Sequence, residues 1–123
     1  MTTVELYEKI HGDYQDALSR LSSDGLVSRF IMKYPGDTSY GEFIEAWDMK
    51  DEEKAFRAAH TLKGVCANLS ITGIYKLASS ITEALRPGND ELRAQTDMDA
   101  LVALLVAENK LVVDTIAEYA AQL

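Results

Sequence analysis

Apolar residues recur at helical spacing along most of the chain and are interrupted by short clusters of turn-forming residues. Residues from about Val4 to Leu21 read as helical, with a break near His11-Gly12. Ser22-Ser23-Asp24 then offers cap residues for a helix carrying Leu26, Val27, Phe30, Ile31 and Tyr34, and Pro35-Gly36-Asp37 ends it. Tyr40, Phe43, Ile44 and Trp47 form the next stripe, between Thr38 and Trp47. Asp51, Glu52 and Glu53 put negative charge where a first helical turn favours it, so a helix from Asp51 to Leu69 follows. Between Ser70 and Arg86 the stripe is Ile74, Leu77, Ala78, Ile81 and Leu85, stopped by Pro87-Gly88-Asn89. From Thr96, with Asp99 three residues on as an imperfect capping box, a long helix presents Leu101, Leu105, Val112, Ile116 and Tyr119. Four substantial helices with short connections bury their stripes most simply as an all-α, up-and-down antiparallel four-helix bundle, with additional short N-terminal helices across one end.

Composition narrows this picture without changing it. At 123 residues with 47% hydrophobic content the chain suits a single domain, residues 1–123, with one core. Two prolines and seven glycines leave little material for turns, which favours helix over strand. A net charge of −8 repels nucleic acid and anionic membrane surfaces, so neither is an expected partner. The one cysteine, Cys66, has no internal disulfide partner, and the start MTTVELYEKI lacks the basic-then-apolar pattern of a leader. A cytoplasmic location is the expectation.

Candidate chemistry centres on FRAAHTLKGVCANL, residues 56–69, where a histidine is followed by Lys63 and by a glycine inside a helix. A helix-interior glycine costs on the order of 1 kcal/mol relative to alanine, so its presence calls for a reason. At about 100° per residue, with His60 at zero, Ala55, Ala58, Leu62, Val65, Cys66 and Leu69 fall between about 140° and 240°. That apolar stripe turns His60 outward. Phe56, Arg57, Lys63, Gly64 and Ala67 lie within about 60° of His60 on its own side. Gly64 and Ala67 keep the surface low beside the ring, and Lys63 supplies an ammonium for an anion attached to it. Imidazole is nucleophilic near pH 7, so the face suits a phosphoryl group on a ring nitrogen. The plainer reading is a surface histidine, a solvated lysine and a glycine at a packing contact.

Ala59 to Leu69, AHTLKGVCANL, resembles the signature of histidine-containing phosphotransfer (HPt) domains, in which x-Leu-Lys-Gly follows the accepting histidine. The likeness extends to the acidic helix start at Asp51–Glu53 and to ALRPGND at the end of the following helix. The resemblance implies a monomeric four-helix bundle whose His60 accepts phosphate at Nε2 from a response-regulator receiver aspartate and hands it to another. Lys63 would position or neutralise the phosphoryl group, and Gly64 would leave space for it. The implied partners are receiver domains, with a hybrid sensor kinase as a further candidate. No cofactor is expected on this chain, and Mg²⁺ would belong to the receiver. Ser70 stands where many members have glycine, and Ile81-Thr82 where many have Leu-Glu. The docking surface is expected around Phe56, Ala67, Ile71, Lys76, Ser79 and Ser80, read from helix faces.

Four other readings compete. Glu8-Lys9-Ile10-His11 has the Glu-x-x-His spacing of di-iron bundles, but the second copy such sites need is missing, since Arg57 precedes His60 at that spacing. Cys66 falls on the core stripe, which argues against a nucleophilic hydrolase. A helical adaptor without phosphate chemistry keeps the fold and leaves His60 idle. The phospho-accepting module of a chemotaxis-type kinase also presents His-x-x-Lys-Gly. Without a glycine-rich nucleotide loop the free-standing carrier is favoured if the 123 residues are the full gene product, and the kinase module if they are a fragment.

Overall fold

The computed structural model describes residues 1–123 and is entirely helical apart from its connections. Helices α1 (Thr3–Lys9), α2 (Tyr14–Leu21) and α3 (Asp24–Ile31) lead through a 3₁₀ turn at Tyr34–Gly36 into α4 (Ser39–Asp48) and α5 (Glu52–Leu69). They are followed by α6 (Thr72–Leu85), α7 (Asp90–Gln95) and α8 (Met98–Ala121). The short connections make α4, α5 and α6 successive antiparallel neighbours. Helix α8 packs on α6, while α1 touches α8 and α2 and α3 touch α5. No helix is long and apolar enough to cross a membrane.

One continuous core draws on every helix except α7: Leu6, Tyr7 and Ile10 from α1 and the turn after it, Ala17 from α2, Ile31 from α3, Phe43 from α4, Leu62 from α5, Ile74 and Ile81 from α6, and Leu105 and Ile116 from α8 are all fully buried. Several polar groups at the core edge are paired, whereas the buried Ser79 hydroxyl has no partner within the chain. The Tyr34 hydroxyl donates to Asn109 Oδ1 at 2.6 Å, fastening the 3₁₀ turn to α8. The Tyr119 hydroxyl lies 2.9 Å from Thr3 Oγ1 and 2.7 Å from Ser28 Oγ, joining the end of α8 to α1 and α3.

The bundle and its N-terminal helices follow the sequence expectation, with four local departures. Helix α3 ends at Ile31, so Tyr34 stands with Pro35 and Gly36 in the 3₁₀ turn and not on that helix. Helix α7 was not foreseen: it is six residues long and buries none of them, so it leaves no apolar period to detect. It is held from outside, by the Arg93 guanidinium donating to both carboxylate oxygens of Glu52 at 3.0 and 3.1 Å and lying 5.8 Å from the Trp47 ring centroid. Helix α8 is capped by Asp97, which accepts from the Ala100 amide, and not by the Thr96–Asp99 pair; the Thr96 hydroxyl donates back to Leu92 O at 2.6 Å. Helix α6 begins at Thr72, because Ser70 adopts left-handed backbone angles (φ 56°, ψ 37°) and breaks the chain direction there.

The Ser70 corner is tied to the N-terminal helices. The Ser70 hydroxyl donates to Asp16 Oδ2 at 2.6 Å, and its carbonyl accepts from the Asp13 amide at 2.9 Å. The Ser70 hydroxyl, followed by Arg20, holds the Asp16 carboxyl below its usual range. Gly12 makes this approach possible. A Cβ there would stand 2.7 Å from the ring of fully buried Tyr7 and 3.1 Å from Ser70 O. Gly12→Ala is therefore expected to destabilise the protein by about 1–3 kcal/mol, as overpacking does; urea unfolding checks it, and an unchanged midpoint would show that Tyr7 moves aside freely.

Candidate functional site

Helix α5 starts at an Asp51 cap that accepts from the Lys54 amide at 3.1 Å, with Glu52 and Glu53 in its first turn. Ala55, Ala58, Ala59, Leu62 and Cys66 are its buried positions, while Val65 and Leu69 are half-buried. The buried stripe thus sits slightly to the Ala59 side of where the wheel places it, and His60 is exposed as that wheel requires.

The structure brings His60, Lys63 and Gly64 onto one outward face. Lys63 is half-buried, and its ammonium has no carboxylate within ion-pairing distance. A Cβ built on Gly64 meets nothing within 4 Å, so the glycine does not serve packing inside this chain. The ground beside the imidazole is open to an incoming molecule.

Three further residues, from two helices, complete the surroundings. The Phe56 ring stacks on His60, centroids 6.2 Å apart and planes 21° from parallel. The Arg86 guanidinium lies 5.3 Å from the Phe56 centroid and donates to Glu83 through Nε at 3.2 Å and Nη2 at 3.0 Å. Those bonds, and more weakly the positive fields of Lys63 and His60, hold the Glu83 carboxyl below its usual range. Arg86 occupies its place because Pro87 forces it out of the helical region (φ −60°, ψ 131°) and ends α6. Arg86 and Glu83 were missed as site residues by reading helix faces one at a time. The available signal was that Phe56 and Arg86 lie at nearly equal distances on either side of the Ser70 corner, so an antiparallel hairpin brings them level.

Of the expected docking residues, Lys76 and Ser80 are exposed, and Phe56, Ala67 and Ser79 are half-buried. Ile71 is a correction: it is fully buried, because the residue that caps α6 turns its side chain under the hairpin into the core. His11 sits at the turn after α1 with left-handed backbone (φ 58°), its Nδ1 3.0 Å from Glu108 Oε1, and both it and Glu8 are exposed. No group of three or more His, Cys, Asp or Glu side chains is placed to hold a metal ion. Cys66 is fully buried, and burial pushes its thiol up to about 12. Iodoacetamide at pH 8 is accordingly expected to label Cys66 only after unfolding in urea; rapid labelling of the native protein would contradict this.

Residues 37–121 match the family model described as Hpt domain. No curated protein and no solved structure gives a significant match. The matched span covers α4 to α8, including His60, Lys63, Gly64, Glu83 and Arg86, and leaves α1 to α3 outside. Modules of this kind are phosphocarriers that work with receiver domains and kinases. The open histidine face, the helical bundle beneath it and the matched span agree, and the chain belongs to the Hpt domain family of two-component phosphotransfer modules.

Proposed function

We propose that this chain relays a phosphoryl group between receiver-domain aspartates through a phosphohistidine at His60. The observation that carries the reading is the exposed imidazole beside the unobstructed Gly64 surface, on the same helix face as Lys63, which forms no ion pair. In the first half-reaction an imidazole nitrogen attacks the phosphorus of a receiver's aspartyl phosphate, the P–O bond to the aspartate breaks, and the carboxylate is released. In the second, an aspartate of another receiver attacks the same phosphorus and the P–N bond breaks, returning the imidazole.

Transfer of this kind passes through a loose transition state that needs in-line placement and charge stabilisation more than covalent machinery. This chain supplies the acceptor atom, a low surface that lets the two proteins close on each other, and the Lys63 charge facing the phosphoryl oxygens. The divalent metal that stabilises charge in such a transfer belongs, in this reading, to the receiver's acidic pocket.

The test is incubation with a receiver domain carrying radiolabelled aspartyl phosphate. Label is expected to move to this chain, to be lost in acid and kept in base, and to map to His60 by mass spectrometry. Acid-stable label, or label mapped to another residue, would overturn the reading.

A further inference from the structure

The pair formed by Glu83 and Arg86 is placed where a structural salt bridge does little. It spans one turn at the end of α6, with side chains 44% and 40% exposed, and an exposed pair of this kind contributes little to stability. Its location gives it another use. Arg86 lies against Phe56, which stacks on His60, and Glu83 lies within the fields of His60 and Lys63 without contacting either as an ion pair. The remaining charged neighbour on α5, Arg57, is held by Glu53 at 3.0 Å.

We propose that Glu83 tunes the phosphohistidine: it holds Arg86, competes with a phosphoryl group on His60 for that guanidinium, and so favours passing the group on over keeping it. The inference rests on the relay reading and adds a positioning pair to it. A phosphoryl group carries about −1.5 to −2 charges and presents three acceptor oxygens, so it attracts the guanidinium fork more strongly than a carboxylate does. The weak, solvent-exposed contact with Glu83 lets Arg86 exchange between the two. The Glu83 charge, once vacated, faces the phosphoryl group and repels it. Both effects raise the free energy of the phosphorylated form relative to a phosphorylated receiver.

Hydrolysis gives the readout. Water oxygen bonds to phosphorus as the P–N bond breaks, inorganic phosphate leaves, and the imidazole nitrogen takes up a proton. The full chain is labelled by a phosphorylated receiver, separated from it, and the decay of acid-labile label is followed. Glu83→Gln is expected to lengthen the half-life about threefold and to shift the exchange equilibrium toward this chain, the scale of an exposed charge contact. Arg86→Gln is expected to shorten the half-life by about the same factor, with Arg86→Lys between it and the unaltered protein. Opposite signs are the signature, because a merely structural ion pair moves the half-life the same way whichever side breaks it. The differences are also expected to shrink in 0.5 M salt, on the order of the screening that concentration provides. In ¹⁵N spectra the Arg86 Nε–H signal is expected to shift on phosphorylation of the unaltered chain. Equal half-lives, changes of one sign in both variants, or an Arg86 signal unmoved by phosphorylation would overturn the inference and leave the relay intact. Failure of the unaltered chain to take up label would overturn both.

Discussion

His60→Gln is expected to abolish acid-labile labelling from a phosphorylated receiver while leaving the fold in place. Glutamine is close in length to histidine, has better helix propensity, and has no nitrogen that is nucleophilic at neutral pH. His60 is exposed, and its one specific contact within the chain is the stack on Phe56. Losing that contact costs about 0.5–1.5 kcal/mol at most, and surface exchanges otherwise fall within about 0.5 kcal/mol. The urea midpoint is therefore expected to move little while labelling disappears. The chain has a second histidine, His11, which makes a matched control. It sits at the turn after α1, tied to Glu108 of α8, so His11→Gln is expected to retain labelling. Label persisting in His60→Gln and vanishing in His11→Gln would reverse the assignment.

Gly64→Leu is the second large effect, and it separates folding from docking. The site of the new Cβ is empty to 4 Å and Gly64 is exposed, so the side chain starts from open surface and not from a packed contact. Glycine to leucine in a helix interior gains up to about 0.8 kcal/mol by propensity, so the variant is expected to be slightly more stable. The same branched side chain stands one turn from His60, on the surface that the proposed relay has a receiver approach. A displacement of about 1 Å in a group-transfer geometry can cost on the order of 100-fold, and a leucine in a close interface imposes at least that. Transfer is expected to fall by about that factor, measured by rapid-quench labelling, alongside an unchanged or raised unfolding midpoint. Full-speed transfer in this variant would mean that partners do not close over Gly64.

How much of this was legible in the sequence depended on whether a residue's role is set within one helix or between two. Helix α5 was readable because its buried positions share one stripe, and the outward direction of His60, Lys63 and Gly64 is the complement of that stripe. The bundle was readable because α4, α5, α6 and α8 each carry such a stripe and the first three are joined by short corners. Helix α7 has no stripe, being held by Arg93 reaching across to Glu52 of α5. Ile71 is expected at the surface when α6 is started at Ser70, whereas that helix starts at Thr72 and Ile71 is its cap, with its side chain in the core. Glu83 and Arg86 escaped for the same reason as Arg93: their neighbours belong to another helix, and periodicity along one helix carries no information about which turn of the next it faces.

The left-handed corner at Ser70 bears on where this protein can be cut. Glycine would hold those backbone angles unaided, whereas serine is strained there and leans on Asp13 and Asp16, which precede the stretch matched by the family model. A shortened chain beginning at residue 37 would keep every residue around the imidazole yet leave the hairpin's bend without its external brace. The leading helices are in that sense a splint for the motif, and trimming to the family boundary is not a neutral operation on this sequence.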